Sequence, residues 1–206
     1  MKMRINTLSI FIISVLCLLS WSETSIASIN LGLSGFGTNN NAGLESYTRK
    51  SGTLSLSVGL INHLRIGLST RTQKENRKGI KYHSNLEVYF PFKSSLEEET
   101  YTVNLTIVLY NGPISPYIFG GLSNKYYNTK FTYDFDEPIV STRKFELTNV
   151  PTYGFGIAFF INKDFSLKTS QTFSEGKSIT LTPEGKENTK VAQDYYTQVG
   201  ISYAIR

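Results

Sequence analysis

Tyr153-Gly154-Phe155-Gly156-Ile157-Ala158-Phe159-Phe160-Ile161 alternates large apolar residues with small ones along most of its length. Successive side chains of a strand point to opposite faces. Tyr153, Phe155, Ile157, Phe159 and Ile161 therefore share one face, and Gly154, Gly156 and Ala158 share the other. The same period of two recurs outward from this stretch. Ile29, Leu31 and Leu33 alternate with Asn30, Gly32 and Ser34. Leu54, Leu56, Val58 and Leu60 alternate with Ser55, Ser57 and Gly59, and Leu64, Ile66 and Leu68 with Arg65, Gly67 and Ser69. Tyr101 to Leu109 and Gln198 to Ile205 follow the same rule. No helical apolar stripe interrupts it. Turn signals stand at Ile61-Asn62-His63, Asn111-Gly112-Pro113, Asn162-Lys163-Asp164 and Ser174-Glu175-Gly176.

The polar face decides which side of such a sheet is wet. It consists of Ser, Thr, Asn, Gln and Gly with Arg65, Arg71 and Lys168. Charged residues make up 18 % of the chain, below the roughly 25 % of ordinary soluble domains. They concentrate at Arg71 to Lys81, Lys93 to Glu99 and Glu184 to Lys190. A soluble barrel turns its apolar set inward, whereas a membrane barrel turns it toward lipid and fills its interior with polar and small residues. The expected fold is an all-β, antiparallel, up-and-down transmembrane barrel. Tyr101, Tyr110, Tyr126, Tyr127, Tyr153 and Tyr195 cluster at strand ends, where interfacial girdles belong.

Residues 1–27 read as a cleaved secretory signal. Lys2 and Arg4 form a basic start, Ile5 to Leu19 is mostly apolar, and Ser25-Ile26-Ala27 places small residues before a cleavage between Ala27 and Ser28. Bulky Leu16 before Cys17 argues against a lipoprotein signal. Cleavage removes Cys17, the one cysteine, so no disulfide staples the exported chain. It also removes Lys2, Arg4 and Glu23, so the formal net charge of +5 falls by one. That balance gives no reason to expect nucleic acid. Residues 28–206 are assigned to the barrel.

Gln198-Val199-Gly200-Ile201-Ser202-Tyr203-Ala204-Ile205 resembles the C-terminal assembly signal of bacterial outer-membrane proteins, carried here by Gln198, Gly200, Tyr203 and Ile205. It departs from that pattern in ending Ile205-Arg206 rather than on an aromatic. Ser115-Pro116-Tyr117-Ile118-Phe119-Gly120-Gly121-Leu122 looks like the central Pro-Tyr strand of the small OmpA-like and OmpX-like barrels. Tyr153 to Ile161, Asn162-Lys163-Asp164 and Phe165-Ser166-Leu167 look like their sixth strand, periplasmic turn and seventh strand. The resemblance implies eight strands, a bacterial outer-membrane location, and partners in outer-membrane lipid and the insertion machinery. It carries no catalytic motif.

Eight strands are expected at about 29–37, 51–61, 64–73, 99–110, 116–127, 150–161, 164–173 and 194–205. Residues 128–135 and 139–148 read as strands five and six continuing past the bilayer as a hairpin. Residues 80–92 are either part of a long second loop or, with one more strand, evidence for ten.

The sequence holds no catalytic set, cofactor motif or metal-ligand constellation. His83-Ser84 with Glu87 invites comparison with barrel hydrolases, but His83 and Ser84 point to opposite faces of a strand. His63 reads as solvated surface, and the Asn104-Leu105-Thr106 sequon lies in a strand interior. The candidate binding segment is the basic run Arg71, Lys74, Arg77, Lys78 and Lys81, expected in the second extracellular loop and suited to lipopolysaccharide or another polyanion. The functional expectation is a monomeric, non-enzymatic barrel with a structural, adhesion or surface-binding role. A narrow channel or carrier for small or apolar molecules and a soluble periplasmic binding barrel are the alternatives.

Overall fold

Alternation at a period of two makes strands, and strands leave a row of unpaired backbone groups at every sheet edge. In lipid those groups must be satisfied, which a closed ring achieves. The computed structural model describes residues 29–42, 45–61, 63–83, 88–134, 139–181 and 187–205. They form β1 (Ile29–Ala42), β2 (Glu45–Ile61), β3 (Leu64–His83), β4 (Val88–Val108), β5 (Ile114–Tyr133), β6 (Ile139–Phe160), β7 (Phe165–Leu181) and β8 (Glu187–Ile205). All neighbours are antiparallel, and the strands close in the order β1 to β8. Closure runs from Ile29↔Ile205 to Gly35↔Val199. The eight-strand expectation is met. The signal segment 1–27 and its cleavage site lie outside the described residues.

Strands β2–β3, β4–β5 and β6–β7 are joined by short turns, at the end where β1 begins and β8 finishes. Asn162 closes the last of these turns. Its Oδ1 accepts from the backbone N–H groups of Asp164 (2.9 Å) and Phe165 (2.8 Å), a local bond that Asn makes readily. Short turns mark the periplasmic end of such barrels.

The strands are longer than expected. A membrane-spanning strand needs about 9–11 residues, whereas these have 14 to 22 and continue as hairpins beyond the far side of the bilayer. Residues 80–92 are therefore neither a long loop nor a ninth strand. Residues 80–83 are the end of β3 and residues 88–92 the start of β4, paired from Ile80↔Pro91 to His83↔Val88. Ser174-Glu175-Gly176 is no turn either; it lies inside β7 and pairs with Ala192 to Asp194. The hairpin expected from strands five and six is present. A bulge between Ser123 and Lys125 offsets β5 against β6, and Asn149 takes up the strain at φ 55°.

The facing expected from sequence holds. Leu33, Leu54, Val103, Leu105, Ile118, Leu122, Phe155, Val199 and Ile201 are exposed on the outer wall. Asn30, Thr53, Thr102, Ser115, Ser123, Thr152, Ser166, Thr172, Gln198 and Ser202 are buried inside. An apolar belt on the outside with hydroxyls within matches hydrocarbon as the external solvent. Tyr127 corrects the girdle. It is buried in the lumen, stacked on Phe145 with ring centroids 4.5 Å apart, while Tyr101, Tyr110, Tyr153 and Tyr195 are exposed outside.

The small inward residues of β6 make room for rings. A Cβ on Gly156 would fall 2.5 Å from the Tyr117 ring, and one on Gly154 2.6 Å from Phe119. The two aromatics of β5 thus lie flat across the glycines of the neighbouring strand.

Candidate functional site: a charged lumen plug and an outer lysine patch

Five charged side chains from five strands converge across the lumen toward its extracellular side. Arg49 (β2) donates to Asp194 (β8) at 2.9 Å. Arg71 (β3) pairs with Glu98 (β4) and reaches Asp194 at 3.3 Å. Lys125 (β5), 1 % exposed, lies 3.4 Å from Asp194 and donates to Ser174 Oγ at 2.7 Å. Thr100 donates to Glu98 at 2.7 Å, and the Tyr196 ring lies 3.8 Å beneath the Arg71 guanidinium. An ion buried alone costs several kcal/mol, so these groups persist there because they are paired. Three cations share two carboxylates, and Asp194 touches all three cations.

Hydroxyls continue the network. Ser123 Oγ lies 2.7 Å from both Thr102 Oγ1 and Thr152 Oγ1. Farther toward the extracellular side, Phe90, Phe92, Phe131 and Tyr133 form a buried aromatic cluster between β4 and β5. The plug spans the lumen from β2 to β8, and the cluster fills the inner face of β4 and β5 above it.

Arg71 is not part of the polyanion-binding loop that its place in the basic run predicts. It belongs instead to this plug, 3 % exposed. The rest of the basic run also lies in strand β3 rather than in a loop. Arg77 pairs with Glu75 at 3.2 Å and covers the Tyr47 ring. Lys74 and Lys78 point outward, and Lys81 pairs with Phe90 along the backbone.

Lys74 and Lys78 have partners that the sequence run did not contain. The registers align Lys50 with Lys74 and Glu97, Asn76 with Ser95 and Lys130, and Lys78 with Lys93. Lys50, Lys74, Lys78, Lys93 and Lys130 are all exposed and form one outer patch across β2 to β5. Glu97 and Glu99 oppose them from the edge nearer the bilayer. Lys74 donates to Glu97 at 2.9 Å and holds its carboxyl below the usual range by that bond and its charge. Tyr101 and Tyr126 meet edge-to-face at 5.9 Å just below the patch. Same-face residues on a strand are about 6.7 Å apart, so the lysines begin within one or two steps of those rings.

Among the other sequence candidates, His63 is exposed in the β2–β3 turn, its Nδ1 2.8 Å from the Val108 carbonyl. Ser84 and Glu87 lie outside the described residues. Asn104 faces the lumen beside Gly67, where no glycan would fit. In the assembly-signal segment, Gln198 and Gly200 face inward, and Tyr203 and Ile205 outward.

No protein-family model matches the chain, and no curated protein does. Solved structures do. A major outer membrane protein from Thermus thermophilus aligns at TM-score 0.51 and 11 % identity, over 86 % of this chain and 98 % of that one. OprG from Pseudomonas aeruginosa aligns at 0.48 and 13 %, over 86 % and 95 %. Ail of Yersinia pestis aligns at 0.47 and 15 %, over 86 % and 97 %. The likeness is one of fold. The chain has the architecture of the small eight-stranded outer-membrane barrels.

Proposed function

We propose that the chain is a monomeric structural barrel of a bacterial outer membrane, and that its outer lysine patch binds the phosphates of the outer-leaflet glycolipid. The observation that carries this reading is the position of Lys50, Lys74, Lys78, Lys93 and Lys130. Lys50, Lys74 and Lys130 project from the wall two same-face steps beyond the Tyr101–Tyr126 pair, and Lys78 and Lys93 extend the patch two steps farther toward the hairpin end. Ammonium groups there meet headgroup phosphates of neighbouring lipids through charge-assisted hydrogen bonds. A patch for a distant protein partner would instead be expected at the hairpin tips. The ion-paired plug across the lumen supports a structural role over the channel or carrier alternative.

Purified, refolded protein is expected to bind lipopolysaccharide, and Lys50→Glu with Lys130→Glu to weaken that binding at least tenfold, each charge-assisted contact being worth about 1.5–3 kcal/mol. The wild-type interaction fades as salt rises. Equal affinity in the double variant, or binding to heparin without binding to lipopolysaccharide, overturns the reading.

A further inference from the structure

Beneath the plug the lumen widens into a chamber of about 160 Å³. Ser55, Ser57, Ser69, Asn104, Ser115 and Ser170 supply much of its wall. Three cations line it, and no Asp or Glu does among the described residues: Arg65 from β3, Lys168 from β7, and Arg71 at the roof. Val108 and Phe160, the last residues of β4 and β6, bound it toward the short turns.

The charge in this chamber is unbalanced. Arg71 spends Nη2 on Glu98 and Asp194, while its buried Nε and Nη1 have no hydrogen-bond partner among the described residues. Lys168 donates to a neutral group, Ser202 Oγ, at 3.0 Å. Arg65 has no ion pair among the described residues and lines the same chamber as Lys168. Two like charges enclosed by a wall of low dielectric repel strongly, and donors without acceptors are costly. Serine hydroxyls can rotate to donate, so the serines of the wall are able to present protons to one guest. A single water needs about 10–15 Å³, so the chamber has room for a small anion with water around it.

We propose that this chamber binds a small inorganic anion of halide or phosphate type between Arg65 and Lys168. The anion neutralises the two cations and caps the underside of Arg71. This site is separate from the outer lysine patch: the lysines are exposed on the outer wall, whereas Arg65 and Lys168 face the lumen.

The test uses the refolded barrel in zwitterionic micelles with chloride as the probe, read by the chloride NMR line width. Wild type is expected to broaden the line beyond empty micelles, and bromide to reverse the excess by competition. Arg65→Gln with Lys168→Gln is expected to return the line width to that of empty micelles. The charge-preserving pair Arg65→Lys with Lys168→Arg, and the exposed control Lys144→Gln, should keep the broadening. If the neutral pair fails to fold, the wild type decides. Its thermal midpoint should be higher in chloride than in gluconate at equal ionic strength, and identical midpoints overturn the proposal. Absence of excess broadening in wild type, or unchanged broadening in a folded neutral pair, overturns it too.

Discussion

Asp194→Asn is expected to lower the stability of the folded barrel by about 3–5 kcal/mol, the cost of stripping one partner from a buried charge network. The Asp194 carboxylate lies 2.9 Å from Arg49, 3.3 Å from Arg71 and 3.4 Å from Lys125. Without its charge, Glu98 is the one carboxylate of the plug left to three cations, and the amide offers them one acceptor oxygen where the carboxylate offered two. Urea unfolding of the protein reconstituted in lipid vesicles, followed by loss of heat-modifiable migration in gels, measures the change. Glu97→Gln is the matched control. Its pair with Lys74 is about half exposed on both sides, so the expected loss is below about 1 kcal/mol. If the two variants are equally stable, the lumen charges are hydrated independently and the plug is not a cooperative unit.

The second large effect belongs to the outer wall. Ile157→Arg is expected to cost about 2–4 kcal/mol and to reduce insertion, because its side chain projects from the middle of the apolar stretch of β6 into hydrocarbon. Ala158, the next residue, is 4 % exposed and faces the lumen beside Lys168. Arginine there would add a fourth positive charge to the chamber lined by Arg65, Arg71 and Lys168, so Ala158→Ser is the informative partner. A hydroxyl among hydroxyls is expected to change stability by less than about 1 kcal/mol. Folding yield into vesicles and the urea midpoint report both variants. Ile157→Arg at wild-type stability would mean that this wall faces water.

The fate of these two neighbours follows from a pattern visible in the sequence. Lipid and lumen solvate opposite faces of each strand so differently that alternation survives along most of the apolar belt, from Ile29 to Ile205. Strand length was not legible for the same reason. Beyond the bilayer water reaches the outer face as well, and nothing selects apolar residues there. Arg71 to Lys81 and Lys93 to Glu99 consequently look like loops, although β3 and β4 pair through both segments. The outer patch was half legible: Lys74 and Lys78 belong to a visible run, but Lys50, Lys93 and Lys130 join them through register alone.

The plug was harder still to read. Its five members come one from each of five strands, with 145 residues separating Arg49 from Asp194. The available signal was parity. Glu98 shares its face with Thr100 and Thr102, Lys125 with Ser123, and Asp194 with Gln198. Ionisable residues of both signs on the inward face of such strands have to find one another in the lumen, since burial without partners is too costly. Tyr127 shows the same point from the aromatic side: it directly follows Tyr126, which points outward, and only face distinguishes a girdle tyrosine from a lumen one.

A spin-label scan tests the central claim, a closed barrel with an apolar wall toward lipid, most directly. Residues 28–206 contain no cysteine, so single cysteines at Thr102, Val103, Asn104, Leu105, Thr106 and Ile107 can each carry a nitroxide in the reconstituted protein. Collision with oxygen, which concentrates in hydrocarbon, is predicted to be high at Val103, Leu105 and Ile107 and low at Thr102, Asn104 and Thr106. Oxygen accessibility without that two-residue period, or greater exposure of Val103, Leu105 and Ile107 to a water-soluble nickel reagent than to oxygen, would contradict it.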